Sequence, residues 1–107
     1  MTSDSKKMKK VEIVIEAVML KEVLAIIDQA GAGGYTILPS VTGRGHRGHR
    51  IGFGLTNVFH NTMVFTLVDE ETAFKISQKI KKLIQNYAGV VIISDADVVW
   101  PDYQKDQ

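Results

Sequence analysis

Between Lys9 and Ala17 polar and apolar residues alternate. Val11, Ile13 and Ile15 fall on one parity, and Glu12, Val14 and Glu16 on the other. A period of two predicts a strand with one face turned to a core. The period then changes. Leu20, Val23, Leu24, Ile27 and Ala30 stand at i, i+3, i+4, i+7 and i+10, one apolar stripe of a helix over residues 20–30. Gly31-Ala-Gly-Gly34 stops it, because glycine is the usual residue just past a helix end. Residues 35–41 read as a second strand, and Pro39 near its close points to an edge or a bend. Residues 61–68 read as a third strand. Asp69 is placed to cap a second helix, with Glu70 and Glu71 in its first turn where acidic groups suit the helix dipole. The stripe Ala73, Ile76, Ile80, Leu83, Ile84 and Tyr87 carries that helix to Tyr87, while Lys75, Lys79, Lys81 and Lys82 lie mostly off it as a solvated face. A fourth strand is predicted over 90–93 and 98–100, kinked at 94–97. The polar segments 1–8 and 101–107 read as tails, the first of them disordered.

The order β-α-β-β-α-β predicts an α+β, ferredoxin-like fold over residues 9–100: a four-stranded antiparallel sheet with two helices on one face. Met63, Val64, Phe65, Leu67 and Val68 are apolar on both parities, and so are residues 90–93. Strands that read as continuous apolar runs are buried on both faces. Two helices cover only one face, so a homo-oligomer is expected to cover the other.

Composition adds limits. A chain of 107 residues makes one domain. Its net charge of +1 gives no global field toward nucleic acid or membrane. Without cysteine there is neither a disulfide framework nor a thiolate site. The first ten residues are polar with no apolar h-region after them, and no apolar run approaches the ~20 residues of a membrane span. A cytoplasmic protein without membrane insertion is expected. No nucleophile–base pair or paired carboxylate stands out, so catalysis is not expected; Asp95 and Asp97 read as facing solvent or capping the kink.

The chemistry gathers in residues 42–50, Thr-Gly-Arg-Gly-His-Arg-Gly-His-Arg, the opening of a long connection over 42–60. Glycines let the backbone approach a ligand closely, and successive N–H groups in such a turn can form an anion-binding concavity. Arginine supplies a planar fork of donors suited to phosphate or carboxylate. An anion site at a strand end and a plain solvated loop both fit this pattern. His46 and His49, with His60 eleven residues on, are a sparse metal set, with no carboxylate or cysteine beside them. An RNA-binding module would carry an RNP-type aromatic signature, which is missing, and a pI above the 8.0 found here.

Three segments on this frame resemble the PII superfamily of trimeric signalling proteins. Residues 31–37, Gly-Ala-Gly-Gly-Tyr-Thr-Ile, resemble its Gly-x-x-Gly-x-Thr-hydrophobic turn into the second strand. Residues 43–50 are similar to the Gly-x-Gly-x-Arg-x-x-Arg loop opening of PII-like proteins associated with bicarbonate uptake. Residues 86–94, Asn-Tyr-Ala-Gly-Val-Val-Ile-Ile-Ser, resemble that same carbon-linked branch. The chain departs from nitrogen-sensing relatives, which carry a Thr-Gly-x-x-Gly-Asp-Gly-Lys turn before the last strand. Here that lysine is missing, and residues 42–60 hold no tyrosine to be nucleotidylylated.

The resemblance implies a non-enzymatic homotrimer of the carboxysome- or bicarbonate-transport-associated type, with an adenine nucleotide between neighbouring subunits. By residue matching, Gly34, Tyr35 and Thr36 would lie near the base. Gly43 and Gly45 would approach the phosphates, Arg47 and Arg50 would pair with them, Arg44 would contribute, and Gly89 would come from the facing subunit. Without the lysine-bearing turn, AMP or ADP is expected ahead of ATP, with bicarbonate as a further ligand. Loop 42–60 would be the T-loop equivalent, a mobile element changing order with ligand. The regulated partner would be a bicarbonate transporter or a carbon-fixation protein. The rival is a CutA-like metal-binding trimer, which shares the frame and would use His46 and His49.

Overall fold

The computed structural model describes residues 5–43 and 61–99. They form β1 (Ser5–Glu16), a 3-10 turn (Ala17–Met19), α1 (Leu20–Gln29), β2 (Thr36–Val41), β3 (Asn61–Val68), α2 (Glu70–Leu83) and β4 (Gly89–Val99). The four strands make one antiparallel sheet in the order β2-β3-β1-β4. The expected ferredoxin-like arrangement is therefore present.

One parity of each central strand faces the helices. Val11, Ile13 and Ile15 of β1 are buried, as are Thr62, Val64, Thr66 and Val68 of β3. Met19, Val23 and Ile27 come down onto them from the first helical segment, and Ala73, Ile76 and Ile80 from α2. Burying each isoleucine contributes about 1.5–3 kcal/mol. α2 is capped as its sequence predicts: the Asp69 side chain accepts from the Thr72 N–H at 2.8 Å, acidic residues occupy the first turn, and Lys81 and Lys82 the last.

The opposite parity leaves an apolar face outside this core. Leu38, Val90 and Ile92 are 40, 44 and 46 % exposed. Register puts Leu38 beside Met63, which lies beside Val14, and Val14 beside Val90. Lys10 stands 4.8 Å over the Phe65 ring and 3.6 Å from Glu12, a polar patch on the same face.

Three boundaries differ from expectation. Ser5–Met8, expected in an amino-terminal tail, belong to β1. β4 is continuous, without the kink expected at 94–97, and its register runs unbroken from Ser5↔Val99 to Ile15↔Gly89. Both differences have one cause: Lys7 and Lys9 stand opposite Asp97 and Asp95, so two polar segments complete each other as a ribbon. α2 ends at Leu83 rather than Tyr87, because the chain must turn before entering β4 at Gly89. The amides of Gln85 and Asn86 bond back to Lys82 and Leu83 in that turn, and Tyr87 packs on the core from beyond the helix.

Candidate functional site

The turn expected to meet a ligand is set by the end of α1. Ala32 N–H donates to the Ile27 carbonyl at 3.3 Å and Gly31 N–H to that of Asp28 at 3.1 Å, with Gly31 at φ 95°. This is the paired bonding of a Schellman cap, and its left-handed residue suits glycine. The chain leaves the cap through Gly33 and Gly34 and enters β2 at Thr36. Gly34, Tyr35 and Thr36 are all exposed. Among the described residues a Cβ at Gly34 would meet nothing within 4 Å, so neither their packing nor the backbone conformation explains glycine there.

Two buried threonines on β3 hold the incoming strand. Thr66 donates its hydroxyl to the Gly34 carbonyl at 2.5 Å, and Thr62 donates to that of Leu38 at 3.3 Å. As expected from Pro39, β2 is an edge strand. It carries an irregularity between Pro39 and Val41, with Ser40 at φ 59°. Gly43 follows it, exposed, and among the described residues a Cβ there would meet nothing within 4 Å.

Gly89 has a different environment. A Cβ there would fall 2.8 Å from the Val14 carbonyl oxygen and 3.1 and 3.2 Å from Ile84 and Ile15 side-chain carbons. Packing within the chain already demands glycine at this position. Gly89 opens β4, on the edge of the sheet opposite β2. Three strand spacings, about 14 Å, separate the two edges. One chain thus gathers Gly34, Tyr35 and Thr36 into a single exposed turn and keeps Gly89 apart from it. Arg44, Gly45, Arg47 and Arg50, with His46, His49 and His60, lie outside the described residues.

A second cluster was not expected from the sequence. Lys7, Lys9, Asp69, Glu70, Asp95 and Asp97 line a cleft between the far end of β1/β4 and the start of α2. Its charges are mostly spent on one another. The hydrogen bond to Lys9, and then the lysine's charge, hold Asp95 below the ordinary carboxylate value; the same bond, and then the charge of Asp95, hold Lys9 above its own. Lys7 lies 3.5 Å from Asp97. The Thr72 amide holds Asp69 low. The matching period-two spacing of lysines at 7 and 9 and aspartates at 95 and 97 was the available signal. Among the described residues no group of three or more His, Cys, Asp or Glu is placed to hold a metal ion, and no helix is long and apolar enough to cross a membrane.

Solved structures of PII-like proteins share this architecture. CPII, a nitrogen regulatory PII-like protein from Thiomonas intermedia K12, has been solved bound to ADP, AMP and bicarbonate. It is 25 % identical, with a TM-score of 0.75 over 91 % of this chain and 98 % of that one. Its complex with ADP and bicarbonate is 26 % identical, with a TM-score of 0.76 over 94 and 96 %. A structure described as a PII-like signalling protein from Thermus thermophilus is 32 % identical, with a TM-score of 0.72 over 90 and 93 %. The family model for nitrogen regulatory protein P-II matches residues 8–103. With the sheet order, the helix pair and the glycine turn in place beneath that match, this chain belongs to the P-II family.

Proposed function

We propose that the protein is a non-enzymatic, PII-like trimeric signal transducer. It binds ADP or AMP, ahead of ATP, together with bicarbonate, in clefts between subunits, and it regulates inorganic-carbon uptake or fixation through residues 42–60. The observation that carries this reading is the division of the candidate site. Gly34–Thr36 and Gly89 lie on opposite edges of one sheet, so a ligand touching both needs a second copy. The apolar face around Val90 and Ile92 gives that copy a surface to cover. CPII, with its ADP, AMP and bicarbonate, supports the ligand class.

In this reading Gly43, Gly45, Arg47 and Arg50 take the phosphates, with Arg44 beside them. A ligand that contacts one state of the 42–60 segment better than another shifts the population toward it, and a partner reads the difference. Calorimetry with AMP, ADP, ATP and bicarbonate, alongside light scattering, tests the proposal. The expected particle is about three times 11.9 kDa, and ADP or AMP should bind with ATP weaker. Ligand at a hundredfold excess over its dissociation constant should add roughly 2.7 kcal/mol per site. A stable monomer overturns the assembly. Stabilisation by copper or zinc but by no adenine nucleotide overturns the ligand class and favours the metal-binding trimer.

A further inference from the structure

Thr66 is 2 % exposed, in the row Thr62, Val64, Thr66 and Val68 that β3 turns to the apolar core. A hydroxyl in such a layer is costly unless bonded, and valine would fill the same volume without that cost. The hydroxyl is used on the carbonyl of Gly34. Gly34 stands two residues before β2 begins, outside the strand ladder, since the first paired position is Thr36↔Phe65. The bond therefore holds a segment that the sheet itself does not hold.

We infer that Thr66 is a positioning residue for the adenine-binding turn: from inside the core it fixes the Gly34–Tyr35 peptide so that the Tyr35 amide is presented outward to the nucleotide base. The inference rests on the nucleotide-binding reading above and names a residue outside the set that touches ligand there. Its geometry is elementary. In a trans peptide the carbonyl and the following N–H point in opposite directions. With the Gly34 carbonyl aimed at Thr66, the Tyr35 N–H is aimed away from it, on an exposed stretch of backbone. Purine ring nitrogens are acceptors for such a donor. The open space over Gly34 lets a flat ring come close to the backbone. Without the Thr66 hydroxyl this peptide would be free to rotate, and binding would have to order it first.

Thr62 is a built-in control. It has the same chemistry, the same strand face and the same burial, but it holds the Leu38 carbonyl, inside β2 and four residues beyond the turn. Calorimetry on the full chain with adenosine, AMP and ADP tests the inference. Thr66→Val should weaken all three by the same factor, about three- to tenfold, the worth of one neutral hydrogen bond. Thr66→Ser should restore wild-type affinity, and Thr62→Val should leave affinity unchanged. Thr66→Ala supplies a second hydroxyl-free variant if the valine variant folds poorly. Amide exchange at Tyr35 should quicken in Thr66→Val without ligand. Wild-type affinity in both hydroxyl-free variants overturns the inference and leaves the nucleotide reading standing, as does an equal loss in Thr62→Val. A wild-type protein that binds none of the three overturns both.

Discussion

The two best-defined glycines of the candidate site should respond oppositely to the same substitution. In Gly89→Ala the new methyl would lie 2.8 Å from the Val14 carbonyl oxygen, with Ile84 and Ile15 carbons at 3.1 and 3.2 Å. The first neighbour is backbone of a central strand paired on both sides, so it cannot swing away. Ile15 is 1 % exposed and has little room to move. Overpacking of this kind costs about 1–3 kcal/mol. For a domain of this size that is a fall of roughly 5–20 °C in Tm. In Gly34→Ala the methyl meets nothing within 4 Å among the described residues and the backbone is not left-handed, so stability should stay within about 0.5 kcal/mol of wild type. The nucleotide reading adds that Gly34→Ala should still lose affinity for adenosine and AMP, because the methyl occupies the approach to the base. Urea titration and thermal melting at fixed protein concentration check the first pair of effects, and calorimetry the last. If Gly89→Ala is as stable as wild type, the packing account of that glycine is refuted. If Gly34→Ala binds nucleotide as wild type does, the turn is not the base site.

Other outcomes can be read as directly. Arg47→Ala and Arg50→Ala should each weaken AMP and ADP about ten- to hundredfold, the worth of a charge-assisted hydrogen bond, with adenosine unaffected; calorimetry decides. Ile92→Glu, which sets a second carboxylate opposite Glu12 on the apolar face, should break the oligomer into smaller species by light scattering. Ile80→Ala should cost about 2–5 kcal/mol in denaturant, the range for emptying a packed core site. Asp69 and Asp95 titrate below their ordinary 3.8 when folded. Their contribution is therefore complete above that value and lost as pH falls through the lower folded pKa. Lys9 titrates above 10.5 when folded, so its half of the Lys9–Asp95 pair is complete below 10.5 and lost as pH rises through the raised value. Asp95→Asn should flatten the denaturation midpoint against pH on both sides.

How far the fold was legible depended on whether a segment carried its own signal. β3, with bulky residues on both parities and a capping aspartate after it, has the bounds its sequence predicts. The two helices show in their stripes, although Tyr87 continues the period of α2 from beyond its end, since spacing alone cannot tell a last helical turn from a turn packed on the same core. Ser5–Met8 and Ser94–Asp97 read as tail and kink because their strand character lies in each other: Lys7 has meaning only opposite Asp97. In the candidate site the exposed turn at Gly34 was legible as a glycine motif. The reason for Gly89 was not, since the carbonyl of Val14 that forbids a side chain lies 75 residues away in the chain. Thr66 gave no signal at all, because threonine in a strand reads as ordinary β preference.

The placement of β4 has a kinetic consequence. β1 lies between β3 and β4, and its partners on the β4 side are drawn from the last strand of the described chain, with Ser5 against Val99 at the extreme. A ribosome delivers β1 first and β4 last. Until β4 arrives, the growing chain holds a long central strand with an open edge, and packing of α1 and α2 cannot close it. Contacts of such sequence separation make folding slow, because the loop entropy must be given up before the pairing repays it. During synthesis that edge is also the place where a nascent chain would pair wrongly with another copy. The Lys-rich segment 6–10 therefore has a second use. It places charges along the part of the edge that waits longest for its aspartates, so nascent copies repel one another until Asp95 and Asp97 are made.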